Sequence, residues 1–153
     1  MERQYVANNK KERERLIKLV NETTDKELKL VIYKEGWTVA AALGHLAFWD
    51  ERRLALAKRW RQKEITPSNI EGVDMHTVND ALLPFFLAMP PRKLAELAVS
   101  TAEAVDKALE RLPAGLLPTI KALGDRHALN RGIHRKMHLD EIESFLKSQR
   151  KKR

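Results

Sequence analysis

The 153-residue chain contains no cysteine. This absence excludes disulfide bonds, thiolate zinc sites and a cysteine nucleophile, so histidine and carboxylate side chains are the strong metal ligands that remain. Any thiol in a reaction must therefore come from another molecule. Aromatic residues make up only 6% of the chain, and there is no aromatic-rich strand suited to stacking bases.

Long apolar runs and glycine-rich motifs are also missing. No apolar stretch approaches the roughly 20 residues that span a bilayer, and residues 1–15 are too charged for a signal peptide. The sequence has neither the Gly-x-Ser-x-Gly turn of a serine hydrolase nor a glycine-rich phosphate loop. With a length typical of one domain, these absences predict a soluble cytoplasmic protein without a membrane partner.

The net charge of +8 comes largely from the two ends of the chain, residues 10–13 and residues 147–153. Clustered basic residues favour nucleic-acid binding through counterion release. Because the interior mixes both signs, a frayed and solvated tail is the simpler interpretation. We therefore predict one helical domain, residues 1–146, and a basic tail, residues 147–153, with nucleic-acid binding as a minor alternative.

Apolar residues recur at helical spacing over most of the chain. Thr24 and Glu27 predict a capping box that opens a short helical turn. Pro84 interrupts residues 75–89, so we predict a short helix and irregular chain between the second and third long helices. With no credible strand, the pattern predicts an all-α four-helix bundle. The long helices are predicted at residues 2–20, 39–62 with Thr38 as N-cap, 91–112 and 125–149, with a linker at residues 67–72.

Three histidines are the candidate metal ligands of this bundle. His134 and His138 are four residues apart and lie on one face of the last helix, whereas His45 lies in the apolar half of the second. If the two helices face each other, the imidazoles can surround one divalent metal and leave a fourth position open, as in catalytic sites. A single histidine on an apolar face is more often a core residue, and the pair can also flank the solvent boundary.

Side chains near these histidines have both functional and structural interpretations. Trp49, one turn after His45, can line a substrate pocket or fill the core. Asp50 and Glu141 are candidate catalytic residues, either orienting an imidazole or acting as a general base. Ordinary ion pairs with nearby arginines are the alternative for both carboxylates.

Other histidine, asparagine and arginine residues are further candidates for contacting a substrate. His76 and Asn79 can close over the metal end of the bundle. His127, seven residues before His134, can line the mouth of the site or lie on the surface. Arginines near the ligand helices can bind an anionic cosubstrate; they are Arg52, Arg53, Arg131 and Arg135.

The order of these motifs resembles that of the DinB/YfiT-like superfamily. Residues 36–39 read Gly-Trp-Thr-Val, residues 43–50 read Leu-Gly-His-Leu-Ala-Phe-Trp-Asp, and residues 134–142 begin with His-x-x-x-His. Members of the superfamily share this succession. A tryptophan precedes a Ser/Thr helix cap, a histidine follows one to two turns later, then come a tryptophan with an acidic neighbour and a late histidine pair. The resemblance covers most of the chain. It implies a four-helix bundle with a divalent metal, often nickel or zinc, on His45, His134 and His138.

Characterised members of that superfamily include transferases that use a low-molecular-weight thiol such as bacillithiol, mycothiol or glutathione. The resemblance therefore implies a small-molecule substrate and either thiol-dependent S-transfer or hydrolysis, since a three-histidine metal can activate a thiol or water. A helical bundle that binds a metal or a small ligand without turnover is the alternative. The apolar residues 82–89 also make a homodimer plausible.

Overall fold

The computed structural model describes residues 3–67 and 74–153. The chain is mostly helical, which confirms the all-α prediction in its general form. Within the described ranges, every helix is too short or too polar to cross a membrane. The helices are α1 (Gln4–Glu22), α2 (Asp25–Leu28), α3 (Val39–Arg61), α4 (Met75–Ala88), α5 (Pro91–Glu110), α6 (Leu117–Lys121) and α7 (Arg131–Lys151), with 3-10 turns at Lys34–Gly36 and Ala114–Leu116.

The long helices α1, α3, α5 and α7 pack around a shared apolar core. Helix α3 makes its most extensive contacts with α5, helix α1 packs against α7 and α5, and α3 also contacts α4 and α7. Fully buried leucines from three of these helices meet in the core, among them Leu16, Leu43, Leu46 and Leu139. Burial of each contributes about 1.5–3 kcal/mol, so packing of these faces holds α3 and α7 in contact.

Two short strands precede α3, although the sequence pattern predicted no strand. Strand β1 (Val31–Tyr33) pairs antiparallel with β2 (Trp37–Thr38), and Gly36 has φ +88° in the turn between them. Strands of three and two residues are too short to produce a recognisable alternation. The hairpin ends at Thr38, whose Oγ1 accepts from Ala41 N at 3.0 Å and caps α3 as predicted.

Helix α4 continues through Pro84, so the prediction of a short helix followed by irregular chain is wrong. Proline removes one backbone donor and costs a helix interior about 3 kcal/mol. Burial of Leu83 and Phe86 against the main core offsets this penalty. The predicted linker, residues 67–72, lies outside the described residues apart from Pro67.

Both ends of α7 differ from the prediction. The helix begins at Arg131 because residues 125–128 form turns, in which Ala128 N donates to Asp125 O. At the other end it continues to Lys151, so the expectation of a frayed tail is wrong. Arg150 Nε donates to Glu27 at 2.8 Å, and this contact is the main cause that lowers the pKa of the buried Glu27 to about 2. The structure contains the predicted capping box of Thr24 and Glu27. Arg150 of the tail is the counter-ion of its glutamate.

Candidate metal centre

Three imidazoles meet where α3 faces α7. His45 comes from the buried first half of α3, and His134 and His138 are one turn apart on α7. One ring nitrogen of each lies within 4.8 Å of the others, and the Nε2 atoms of His45 and His134 are 3.1 Å apart. Tetrahedral zinc with bonds of about 2.0–2.1 Å holds its nitrogen ligands about 3.4 Å apart. The cluster therefore lies within metal-binding distance, as the sequence predicted.

Burial keeps these imidazoles neutral. It is the first cause that lowers the pKa of His45 to about 4, followed by the neighbouring His138. Burial and then Arg131 hold the pKa of His134 well below its usual value, and burial lowers that of His138. At neutral pH each ring thus has one unprotonated nitrogen, and the neutral ring is the form that binds a metal.

The hydrogen bonds of two rings test how well the cluster fits a metal. His138 Nδ1 is buried and has no hydrogen-bond partner among the described residues. Arg131 Nη2 lies 3.4 Å from His134 Nδ1, and because arginine only donates, that nitrogen accepts and the Nε2 proton is shared with His45. A metal on Nε2 requires this proton to move to Nδ1 and Arg131 to turn aside. With that adjustment the donor set fits a divalent metal.

A buried network of ion pairs supports the cluster from behind. Asp50 accepts from Arg131 Nε at 2.8 Å and from Arg135 Nη2 at 3.1 Å, while Asp106 accepts from Arg135 Nη2 at 2.7 Å and from Arg13 at 2.6 Å. Burial alone would lower the pKa of Arg135, but the two aspartates together raise it. The network links α1, α3, α5 and α7, and it holds Arg131 against His134.

The structure therefore places Asp50 in this network, with both carboxylate oxygens bonded to arginines. The sequence pattern did not indicate that Asp106 and Arg13 take part. No local motif indicates these two residues, because the four helices that supply the network are distant in sequence. Only the presence of acidic and basic residues on otherwise apolar helix faces could have indicated it.

A cavity of about 530 Å³ opens beside the three histidines. The structure brings six of the residues predicted to contact a substrate or cosubstrate to its wall, namely Trp49, Arg52, Arg53, Asn79, His127 and Arg131. Arg135, the other predicted arginine, lies in the buried network instead. Trp49 Nε1 donates to Asn79 Oδ1 at 3.1 Å, which joins α3 to α4 at the wall. Met75, Asp125 and Met137 also line the cavity.

His127 reaches the cavity differently from the prediction. It lies in the turn before α7 rather than two helical turns below His134. Its backbone N–H donates to Asp125 Oδ1 at 2.8 Å, and its carbonyl accepts from Arg53 at 3.0 Å and from Arg131 at 3.2 Å. The loop is thereby fastened to the cavity wall.

A smaller cavity of about 200 Å³ lies on another side of His45 and His138. Exposed His76 lines this cavity, not the larger one. The Tyr33 hydroxyl, also at its wall, donates to Glu141, which lies one turn after His138. Glu141 thus contacts the tyrosine of the hairpin.

Comparison with known families identifies the group to which the chain belongs. Residues 9–142 match the family model of the DinB superfamily. The match covers well over half of the chain, so the protein belongs to the DinB superfamily, which confirms the resemblance drawn from the ordered motifs. No curated protein and no solved structure matches the chain.

Proposed function

We propose that the protein is a divalent-metal-dependent enzyme that acts on a small molecule, with α1, α3, α5 and α7 forming a four-helix bundle around the site. His45, His134 and His138 are the proposed ligands. The observation that carries the proposal is the meeting of three neutral imidazoles at the wall of a cavity of about 530 Å³. An unpaired buried nitrogen on His138 supports it, because leaving such a group unsatisfied costs about 1–3 kcal/mol.

Nickel and zinc are the proposed metals, since both accept imidazole nitrogen. Either would supply a positive charge that lowers the pKa of a water or thiol in its open position. We propose thiol-dependent S-transfer or hydrolysis as the reaction. The cysteine-free chain requires the thiol to be a separate small molecule.

The surrounding residues have distinct proposed roles. Trp49 and Asn79, joined by their hydrogen bond, contact and orient the substrate, together with His127 from its loop. Asp50 acts through Arg131 as a positioning residue. Glu141 is the candidate general base because it already accepts a hydrogen bond from a hydroxyl at the smaller cavity. His76 contacts the substrate from that side.

A non-catalytic metal or ligand binder is the second candidate. One observation favours it: both oxygens of Asp50, the buried carboxylate nearest in sequence to His45, are occupied by arginines. Asp125, the carboxylate at the wall of the larger cavity, faces Arg53 at 3.5 Å. A binder of this kind would hold metal and show no turnover.

The first test is the metal content of untagged protein, measured by elemental mass spectrometry. The parent is expected to hold about one nickel or zinc per chain after reconstitution, and His45→Ala and His138→Ala are expected to lose it, because three ligands hold the ion. His76→Ala, which removes an exposed histidine, is the matched control and should keep the metal. Equal metal content in all four proteins would overturn the proposal.

The second test separates the two candidates. The metal-loaded parent is assayed for transfer of glutathione or bacillithiol to 1-chloro-2,4-dinitrobenzene and for hydrolysis of 4-nitrophenyl acetate. Turnover that is lost in His138→Ala supports the enzyme. Stoichiometric metal with neither reaction supports the binder.

A further inference from the structure

We infer that the larger cavity binds a small molecule with an apolar body and an anionic group, with the anion facing Arg52 and Arg53. This inference deepens the proposed function by naming a substrate class, and it rests on that function for the ligand's role as a substrate. The binding preference itself depends only on the charges and apolar surfaces of the wall.

The cavity wall carries an excess of positive charge. Among the described residues, three arginines, Arg52, Arg53 and Arg131, line it together with one aspartate, Asp125. The groups behind the wall do not remove this excess, since they balance one another; they are Arg13 and Arg135 against Asp50 and Asp106. The arginines and the aspartate of the wall thus leave two positive charges among the described side chains.

Arg52 and Arg53 both have a pKa below the usual value of arginine. Burial lowers the pKa of Arg53 to about 10, and the charge of Arg131 is the next cause, although Asp125 opposes both. Burial is also the main cause that lowers the pKa of Arg52. A guanidinium in such surroundings gains from a nearby anion, because arginine binds carboxylate and sulfonate-like groups with two parallel donors.

The rest of the wall suits an apolar body. Met75 and Met137 line the cavity and are 43% and 50% exposed, so both lie at its mouth. Methionine adapts its shape to different apolar surfaces. Trp49 lies deeper, and the guanidinium of Arg52 is 5.9 Å from the centre of its ring. The apolar and the cationic parts of the wall therefore adjoin each other.

The size of the cavity selects a small ligand. A volume of about 530 Å³ falls within the range of about 300–1,000 Å³ that is typical of sites for small molecules. A nucleic acid would instead require a basic surface that follows many phosphates. The positive charges of this wall surround one concave site next to the histidines.

Metal-free protein, prepared with a chelator, allows this preference to be tested without an anion binding the metal directly. Two fluorescent probes share an apolar body: 1-anilinonaphthalene-8-sulfonate carries a sulfonate, and N-phenyl-1-naphthylamine is uncharged. The parent is expected to bind the sulfonate at least about tenfold more tightly. Trp49→Ala should weaken both probes, because it removes the shared apolar contact.

Two arginine variants test whether Arg52 supplies the positive charge that binds the sulfonate. Arg52→Met keeps an apolar stem at the wall and should lose most of the preference for the sulfonate. Arg59→Met is the matched control on the same helix, because its side chain is 61% exposed and pairs with Glu64 outside the cavity. It should behave as the parent does. Equal affinity for the two probes, or equal effects of the two substitutions, would overturn the inference.

The outcome is distinguishable from that of the metal test. Stoichiometric metal without a preference for the anion overturns this inference and leaves the proposed function in place. A preference lost in Arg52→Met, in a protein that takes up no metal, supports the binding class and overturns the metal-dependent function.

Discussion

Helix α7 carries two pairs of ionisable side chains, each with a spacing of four residues. Carboxylates compensate the buried charges of one pair, whereas no carboxylate of the described residues bonds to the other. Arg131 and Arg135 are 3% and 0% exposed, and carboxylates from α3 and α5 accept their hydrogen bonds. His134 and His138 lie beside them, with pKa values lowered by burial and one Nδ1 unpaired within the described structure. The compensated pair holds helices together. The uncompensated pair keeps ring nitrogens that can bind a ligand. This difference distinguishes a binding site from a structural network.

The largest effect is expected from breaking the compensated pair. Arg135→Met removes the guanidinium shared by Asp50 and Asp106, which leaves two buried carboxylates with one arginine each. Breaking a buried pair in this way typically costs about 3–5 kcal/mol. Urea unfolding of the metal-free protein, followed by circular dichroism, measures the loss of free energy of unfolding.

Two further variants sharpen this contrast. His138→Ala should cost less than Arg135→Met, because the Nδ1 atom that it removes makes no hydrogen bond to any described residue. Lys136→Met removes an exposed ion pair with Asp140 and should leave the unfolding midpoint almost unchanged. If His138→Ala and Arg135→Met were equally destabilising, the histidines would belong to the structural network.

The uncompensated imidazoles should also make stability depend on pH. A pKa lowered to about 4 for His45 in the folded state, against about 6.5 in the unfolded chain, means that the unfolded state takes up protons first as the pH falls. The contribution of the neutral His45 ring to the free energy of unfolding is complete above about pH 6.5 and is lost as the pH falls toward 4. His45 alone should remove about 2 kcal/mol of stability between pH 7 and pH 5.

The matched substitutions for this experiment are His45→Gln and His76→Gln, both in chelated protein. The loss between pH 7 and pH 5 should shrink in His45→Gln and persist in His76→Gln, whose histidine is exposed. Glu27 does not interfere, because its pKa is lowered to about 2 and its contribution is lost only below about pH 4.5. An identical pH profile in all three proteins would contradict the assignment of buried neutral rings.

The sequence predicted those parts of the molecule that depend on local spacing. The spacing of His134 and His138, the capping residue Thr38 and the apolar stripes of the long helices required only helical geometry. His45 was named as the third candidate ligand on the condition that its helix faces the last one, and the family resemblance pointed to the same three residues. The continuation of α4 through Pro84 was missed because it depends on burial of neighbouring residues in a core formed by other helices.

The same limit applies to the surroundings of the site. Asp50 was a reasonable candidate for a base from its position after Trp49, and only the tertiary structure brings two arginines to its carboxylate. His127 was placed on α7 by counting residues, whereas the turn formed by residues 125–128 carries it to the cavity. Contacts between distant segments leave no periodic signal in the sequence.

The last of these effects concerns how closely α7 approaches α1. A Cβ at Gly132 would meet the backbone oxygen of Asn8 at 2.8 Å, and the Gly132 N–H already donates to Asn9 at 2.9 Å. In an isolated helix, glycine to alanine is stabilising by about 1 kcal/mol. Here Gly132→Ala should instead destabilise by about 1–3 kcal/mol, because the helices must separate.

Gly115→Ala is the control for that substitution, since no atom of the described residues lies within 4 Å of its added carbon. Urea unfolding should therefore separate the two variants. Because Gly132 lies two residues before His134, its displacement should also weaken metal binding, measured by competition with a chromogenic chelator, whereas Gly115→Ala should bind as the parent does. Stabilisation by Gly132→Ala would show that α1 and α7 have room between them for a methyl group. Lost stability with unchanged metal affinity would show that the histidines tolerate movement of the helix that holds them.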